Sequence, residues 1–176
     1  MMNLVTDPQK VEHLAEERED ENWDFRGWIK YKYGFDDPEL NGVVQELADK
    51  ITAQIDCTQC ANCCRKTATQ LEPEDIERLA AALGLSVSAL RETYLEHDEE
   101  FNEWILPAPC PLLEGTLCRV YEARPVSCRE YPYLHRDFRA HSISRINSTF
   151  ICPIVFNVVE QMKYALRWPR RNRWRR

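Results

Sequence analysis

The chain alternates between stretches with an apolar residue at every third or fourth position and stretches with no such period. The clearest repeat is Leu40, Val43, Val44, Leu47, Ile51 and Ile55, the stripe of an amphipathic helix. Asp37-Pro38 just before it is a start signal: a carboxylate for the unbonded N–H groups and a ring that needs no N–H. Asp7-Pro8 repeats the signal and predicts a shorter helix through about Asp20, with Val11, Leu14 and Ala15 as its narrow apolar side. Between them, Trp23, Phe25, Trp28, Tyr31, Tyr33 and Phe35 form an aromatic segment expected to cover the core.

Pro73 with Glu74 and Asp75 opens a further helix, with Ile76, Leu79, Ala80 and Leu83 inward and Gly84 as its stop. Ser86 caps the next, with Val87, Leu90, Tyr94 and Leu95 inward, so the two make a helical hairpin. Glu96 to Glu103 reads as a solvated acidic loop. Pro107 to Pro132 is rich in proline, cysteine and arginine without helical period, and Glu114-Gly115 allows a small β-hairpin there. Residues 133–150 stay open between short strands and loop. Cys152-Pro153 starts a last helix with Ile154, Val155, Val158, Val159, Met162 and Leu166 on its apolar side. The expected fold is mainly α: a single small helical domain with irregular Cys-rich loops, organised around one or more metal centres. Residues 1–36 would pack on the core, 37–166 would form the cysteine-cluster domain, and 167–176 would be a basic tail.

Length and composition narrow the class. One hundred and seventy-six residues, 44% hydrophobic and 30% charged, suit one globular domain. No stretch approaches the apolar length of a membrane span. The acidic stretch from Met1 to Asp20 has neither the basic nor the apolar region of a secretory signal, which points to a cytoplasmic protein. The formal net charge is −6, yet Arg167, Arg170, Arg171, Arg173, Arg175 and Arg176 all lie in the last ten residues. An acidic body argues against nucleic acid as a ligand, except through that tail, which reads most simply as a terminus folding back on the acidic body.

Eight cysteines then stand out, because in a reducing compartment closely spaced thiols are more often metal ligands than disulfides. Cys57-Thr-Gln-Cys60-Ala-Asn-Cys63-Cys64 lets three sulfurs converge on one ion or cluster through short loops. Adjacent side chains diverge, so Cys64 either serves a second metal or is a bystander. Cys110, Cys118, Cys128 and Cys152 bring the thiolate supply to two closed sites, with the groups mixed in space. Inert buried thiols would sit on apolar helix faces. Here seven cysteines fall in expected turns and proline-flanked loops, and Cys152 falls where a helix dipole favours thiolate.

These residues carry a resemblance. CxxCxxCC over Cys57–Cys64 resembles the YkgJ-type family of zinc- or iron-chelating cysteine-cluster proteins. Pro109-Cys110-Pro111-Leu112, Cys118-Arg119-Val120-Tyr121, Arg124-Pro125, Cys128-Arg129 and Tyr131-Pro132 are similar to that family's second half, and Leu71, Glu74 and Asp75 to its acidic helix start. The resemblance spans about residues 55–155, with Ala61 standing where the family usually has glycine. It implies chelation of zinc or iron. A related cluster in flagellin lysine methylases raises an enzymatic role without locating an active site in this chain.

The metal stays open between zinc and iron–sulfur. Cys57, Cys60 and Cys63 with remote Cys152-Pro153 echo the ferredoxin pattern of a 4Fe–4S cluster, whereas the wide spacing of Cys110, Cys118 and Cys128 suits structural zinc. One centre joining the early cluster to a late cysteine is the expected arrangement. His135 and His141 read as surface or hydrogen-bonding residues before ligands. Arg124 and Arg129 could offset thiolate charge, bind an anion or form salt bridges. No Walker loop, GxGxxG or GxSxG occurs. Three classes follow: a structural metal module that presents a surface to a protein partner, an iron–sulfur redox or protein-modifying enzyme, and a metal carrier or sensor.

Overall fold

In a computed structural model that describes residues 3–169, the helical expectation holds, since ten helices and five short strands follow one another along the chain. They are α1 (Pro8–Glu17), α2 (Glu19–Lys32), α3 (Pro38–Thr52), α4 (Cys57–Cys60), α5 (Asn62–Lys66), β1 (Thr69–Leu71), α6 (Pro73–Leu83), α7 (Val87–Tyr94), β2 (Glu96–Asp98), β3 (Glu103–Leu106), β4 (Leu113–Glu114), β5 (Leu117–Cys118), α8 (Val126–Glu130), α9 (Ser142–Ser148) and α10 (Pro153–Ala165). The chain divides into two compact units. The first joins the residues up to Ile55 to those from Pro132 onward, and the second is the continuous run Asp56–Tyr131. Most of the arginine tail lies outside the described residues. Among those residues no single helix is long and apolar enough to cross a membrane.

In the first unit α10 is the central element and packs along α3. Ile154, Val155, Phe156, Val158, Val159 and Met162 are all buried, facing Leu40, Val44 and Ile51 of α3 and Val11 and Ala15 of α1. Asp7 and Asp37 accept from the first amides of α1 and α3, as the Asp-Pro pairs predict. The first helix stops at Glu17, short of the expected Asp20, and a new one begins at once. Trp23, Phe25, Trp28 and Tyr31 lie on this second helix, whose acids at its start and lysines at its end complement the helix dipole, and Tyr33 and Phe35 follow it. Phe25 and Tyr33 are buried, whereas Tyr31 is 92% exposed, so only part of the segment covers the core. Residues 133–150, left open between strand and loop, contain α9 instead.

A charged group is buried with its partners beside α10. Lys163 Nζ donates to Glu160 Oε1 at 2.6 Å, to Asn22 Oδ1 at 2.6 Å and to Glu21 Oε1 at 2.9 Å, which uses all three of its protons. Glu160 also pairs with Arg18. The Asn157 side-chain amide ties the segment before α1 to α10: its oxygen accepts from Val5 N–H at 3.0 Å and its nitrogen donates to Val5 C=O at 2.8 Å.

The second unit is built on a small core of Leu71, Ile76, Leu79, Ala80, Leu90, Leu95, Leu106, Leu112 and Val120. The α6–α7 hairpin forms as expected: Gly84 takes φ +68° at the end of α6, and Ser86 Oγ accepts from Ala89 N–H at 3.1 Å. The hairpin over Glu114-Gly115 is also present, pairing Leu113 with Cys118 and Glu114 with Leu117. The acidic stretch from Glu96 to Glu103 is not a loop. β2 and β3 pair antiparallel across it, and β1 completes a three-stranded sheet in the order β1-β3-β2. His97 packs against its cross-strand partner Trp104 with ring centroids 4.8 Å apart and the rings tilted by 57°, a contact that holds a strand of mostly charged residues in place.

Candidate metal centre

Seven of the eight cysteines lie in the second unit; Cys152 lies in the first, buried at the N-terminus of α10. None of the eight is in a disulfide. Three of the segments expected to be loops are short helices: Cys57 and Cys60 bound α4, Cys63 and Cys64 lie on α5, and Cys128 lies on α8.

Local hydrogen bonds shape the early cluster. Asp56 caps α4, accepting from Thr58 N–H at 2.9 Å and Thr58 Oγ1 at 2.6 Å, and these bonds hold its carboxyl below the usual range. Ala61 breaks the chain between α4 and α5 in the left-handed region at φ 49°, a conformation glycine takes without strain. The departure at Ala61 therefore preserves the turn. Arg65 then reaches out of α5, donating to Cys60 C=O and to Gly115 C=O, each at 2.8 Å. One guanidinium thus bonds both the first cysteine loop and the turn of the β4–β5 hairpin.

The late cysteines come to the same place. Cys110 N–H donates to Cys64 C=O at 2.7 Å. Cys110 and Cys118 both rest against the core of the unit. Cys128 Sγ lies 3.7 Å from Thr69 Oγ1 on β1. α8 is set by Asp75, which is buried on α6, accepts from Val126 N–H at 3.1 Å and pairs with Arg78. Arg78 in turn donates to Ala123 C=O and Arg124 C=O, fixing the turn before α8.

The sulfurs differ in acidity. Cys64 is drawn down to about 6, first by a hydrogen bond from the Cys63 side chain and then, against some desolvation, by the positive charges of Arg124 and Arg65. Burial pushes Cys110 up to about 11 and raises Cys118 and Cys128, with the charge of Cys64 adding to each. Cys57 is raised by desolvation and by the charges of Cys60, Asp56 and Cys64, with Arg124 opposing. The bond between Cys63 and Cys64 corrects the expectation that this vicinal pair diverges. Neighbours on a helix point only about 100° apart, not to opposite sides as in a strand.

Among the described residues no three His, Cys, Asp or Glu side chains stand ready to hold an ion as they are. The donor chemistry nonetheless fits one. Seven thiols act on one another through space, with two guanidinium groups close enough to favour thiolate, and thiolate is the ligating form. Arg124 Nε donates to Tyr121 C=O at 2.7 Å while its guanidinium lies over the Tyr121 ring, so its position is fixed from two sides. His135 and His141 belong to the first unit. Arg65, Thr69 and Asp56 carry no signal in the sequence, because their roles rest on hydrogen bonds to backbone or to distant residues.

A thiol-rich unit of this kind, with its cysteines on short helices and a hairpin, belongs to the class of cysteine-cluster metal-ligand proteins. The profile of one family, CxxCxxCC, described as a "Putative zinc- or iron-chelating domain", matches residues 56–150, more than half of the sequence. The chain belongs to that family. No match to a curated protein or to a solved structure was found.

Proposed function

We propose that this protein binds zinc or iron through the thiolates of Cys57, Cys60, Cys63, Cys64, Cys110, Cys118 and Cys128, joining the early cluster to the late cysteines. The observation that carries this is the position of Cys64. Its charge acts on Cys57, Cys110, Cys118 and Cys128, its side chain bonds with that of Cys63, and its carbonyl holds the Cys110 amide. A bound cation would neutralise thiolates that otherwise oppose one another, so folding of this unit and metal binding are coupled.

Zinc would be redox-silent and structural. Iron, bound as an iron–sulfur cluster, would supply one-electron chemistry. Purification without oxygen, followed by elemental analysis, a visible spectrum and dithionite addition, separates the two. Stoichiometric zinc without colour assigns a structural ion, and a brown product that bleaches assigns iron–sulfur. A folded product with neither metal overturns the proposal.

A further inference from the structure

Gly27 stands in the interior of α2, where glycine weakens a helix, and it is exposed. Among the described residues nothing comes within 4 Å of the place its Cβ would occupy, so no contact inside the chain calls for it. One turn away on either side, and on the same face, lie Trp23 and Tyr31. Tyr31 is almost wholly in solvent, while Trp23 is half-buried with the Arg26 guanidinium 5.5 Å from its ring centre. Two aromatic residues thus border a position without a side chain, on the side of α2 opposite its buried Asn22, Phe25 and Ile29. Gly42 of α3 has equally open space, but its neighbours one turn away are Pro38 and Glu46, which offer no apolar surface to cover.

Charge is arranged about Gly27 with opposite signs. Asp24 lies three places before it and Lys30 three places after, and the acids Glu19 and Asp20 at the start of α2 answer Lys30 and Lys32 at its end. The side chains of Lys30 and Tyr31 have no hydrogen-bond or ion-pair partner among the described residues.

We infer that this face of α2 docks a second copy of the chain, antiparallel, across a two-fold axis at Gly27. That symmetry sets the residues three and four places after Gly27 in one copy beside those three and four places before it in the other. Lys30 and Tyr31 of each copy then meet Asp24 and Trp23 of its mate. An ammonium gains a carboxylate and an indole face, and a phenol hydroxyl gains an acceptor. The acidic start of each helix runs along the lysine end of the other, and the two helix dipoles oppose. A parallel pair would set acids against acids. Glycine at the axis lets the two backbones approach closely. Fourteen residues at about 1.5 Å each give a contact of about 21 Å in length, less surface than a tight interface needs, so the dimer is a transient one.

Sedimentation equilibrium of the full chain, purified anaerobically and kept in reductant, reads the association. A monomer–dimer equilibrium is expected between roughly 10 and 500 µM, weakening as salt is raised. Lys30→Glu and Asp24→Lys should each weaken it by about tenfold or more, because like charges then face each other. An equimolar mixture of these two variants should associate again, since every acid once more meets a lysine. Gly27→Glu should abolish the dimer while thermal unfolding stays as high or rises, because glutamate favours a helix. This variant keeps the test decisive if Asp24→Lys does not fold. A monomer at every concentration overturns the proposal and leaves the face to a different partner. A dimer indifferent to Gly27→Glu and Lys30→Glu, or a mixture of folded variants that stays monomeric, overturns it as well.

Discussion

Cys110 donates its amide proton to the carbonyl of Cys64 across 2.7 Å, and this bond fastens the late cysteine segment to the early one. Forty-six residues separate the two positions, yet the contact is backbone to backbone. It therefore does not depend on which side chains surround it. The two halves of the cluster are held by the fold as well as by any ion they share.

The acidity of Cys64 sets its reactivity. At pH 7 a thiol at about 6 is about 90% thiolate, whereas Cys110 at about 11 is almost wholly protonated. In the metal-free, reduced chain, brief iodoacetamide treatment should label Cys64 roughly tenfold faster than Cys110, Cys118 or Cys128. The preference should fall away as the pH drops through 6, where Cys64 takes up its proton. Peptide mass spectrometry at several pH values checks both statements. Uniform labelling would show that the Cys63 bond and the two arginines do not act on this sulfur.

Metal uptake should release protons. Cys57, Cys110, Cys118 and Cys128 are all held above the ordinary thiol value, so each gives up about one proton when it ligates at pH 7, while Cys64 gives up little. Affinity for zinc should therefore rise steeply between pH 6 and 8. Calorimetry of zinc binding in buffers of different ionisation enthalpy reads the proton count, and a count near zero would contradict the assignment of these residues as ligands.

Asp75 should matter more than its distance from the cysteine motifs suggests. Its buried carboxylate holds Arg78 and the Val126 amide, and through them the turn leading to Cys128. Asp75→Ala leaves both donors without their acceptor and should destabilise the protein by about 3 kcal/mol in urea unfolding. It should also weaken metal retention against a chelator. Unchanged stability would mean that solvent replaces the carboxylate without loss.

Lys163 tests the other unit. Lys163→Met removes a buried cation and leaves Glu160 with Arg18 alone, which should cost about 3 kcal/mol or more. Metal content per folded chain should stay unchanged, because the seven cysteines lie in the second unit. A matching loss of metal would show that the two units depend on each other for ligation.

Much of the helical frame was legible because burial imposes a period. The stripe from Leu40 to Ile51, the α6–α7 hairpin and the helix after Cys152 all place apolar residues where a helix needs them. β2 was hidden because Glu96, His97 and Asp98 carry no apolar alternation. Its stability comes from pairing with β3 and from the His97–Trp104 contact. α9 was hidden because Ser142, Ser144, Asn147 and Ser148 are weak helix formers. The burial of Ile146, and of Arg145 with a bond to Tyr133 C=O, overrides that preference. The cysteine set was visible in the spacing. The meeting of Cys63 with Cys64 was not, because it depends on α5 being helical.

The division of the chain has a consequence for its making. α3 emerges from the ribosome long before α10, the helix along which it packs, whereas every residue of Asp56–Tyr131 is contiguous. The sulfur-bearing portion is thus complete while its companion still awaits everything from Pro132 onward, nearly half of its residues. Ions can be captured co-translationally, ahead of closure of the helical half, and ribosome-stalled nascent chains ending beyond Tyr131 would show the thiols already shielded from alkylation when metal is supplied.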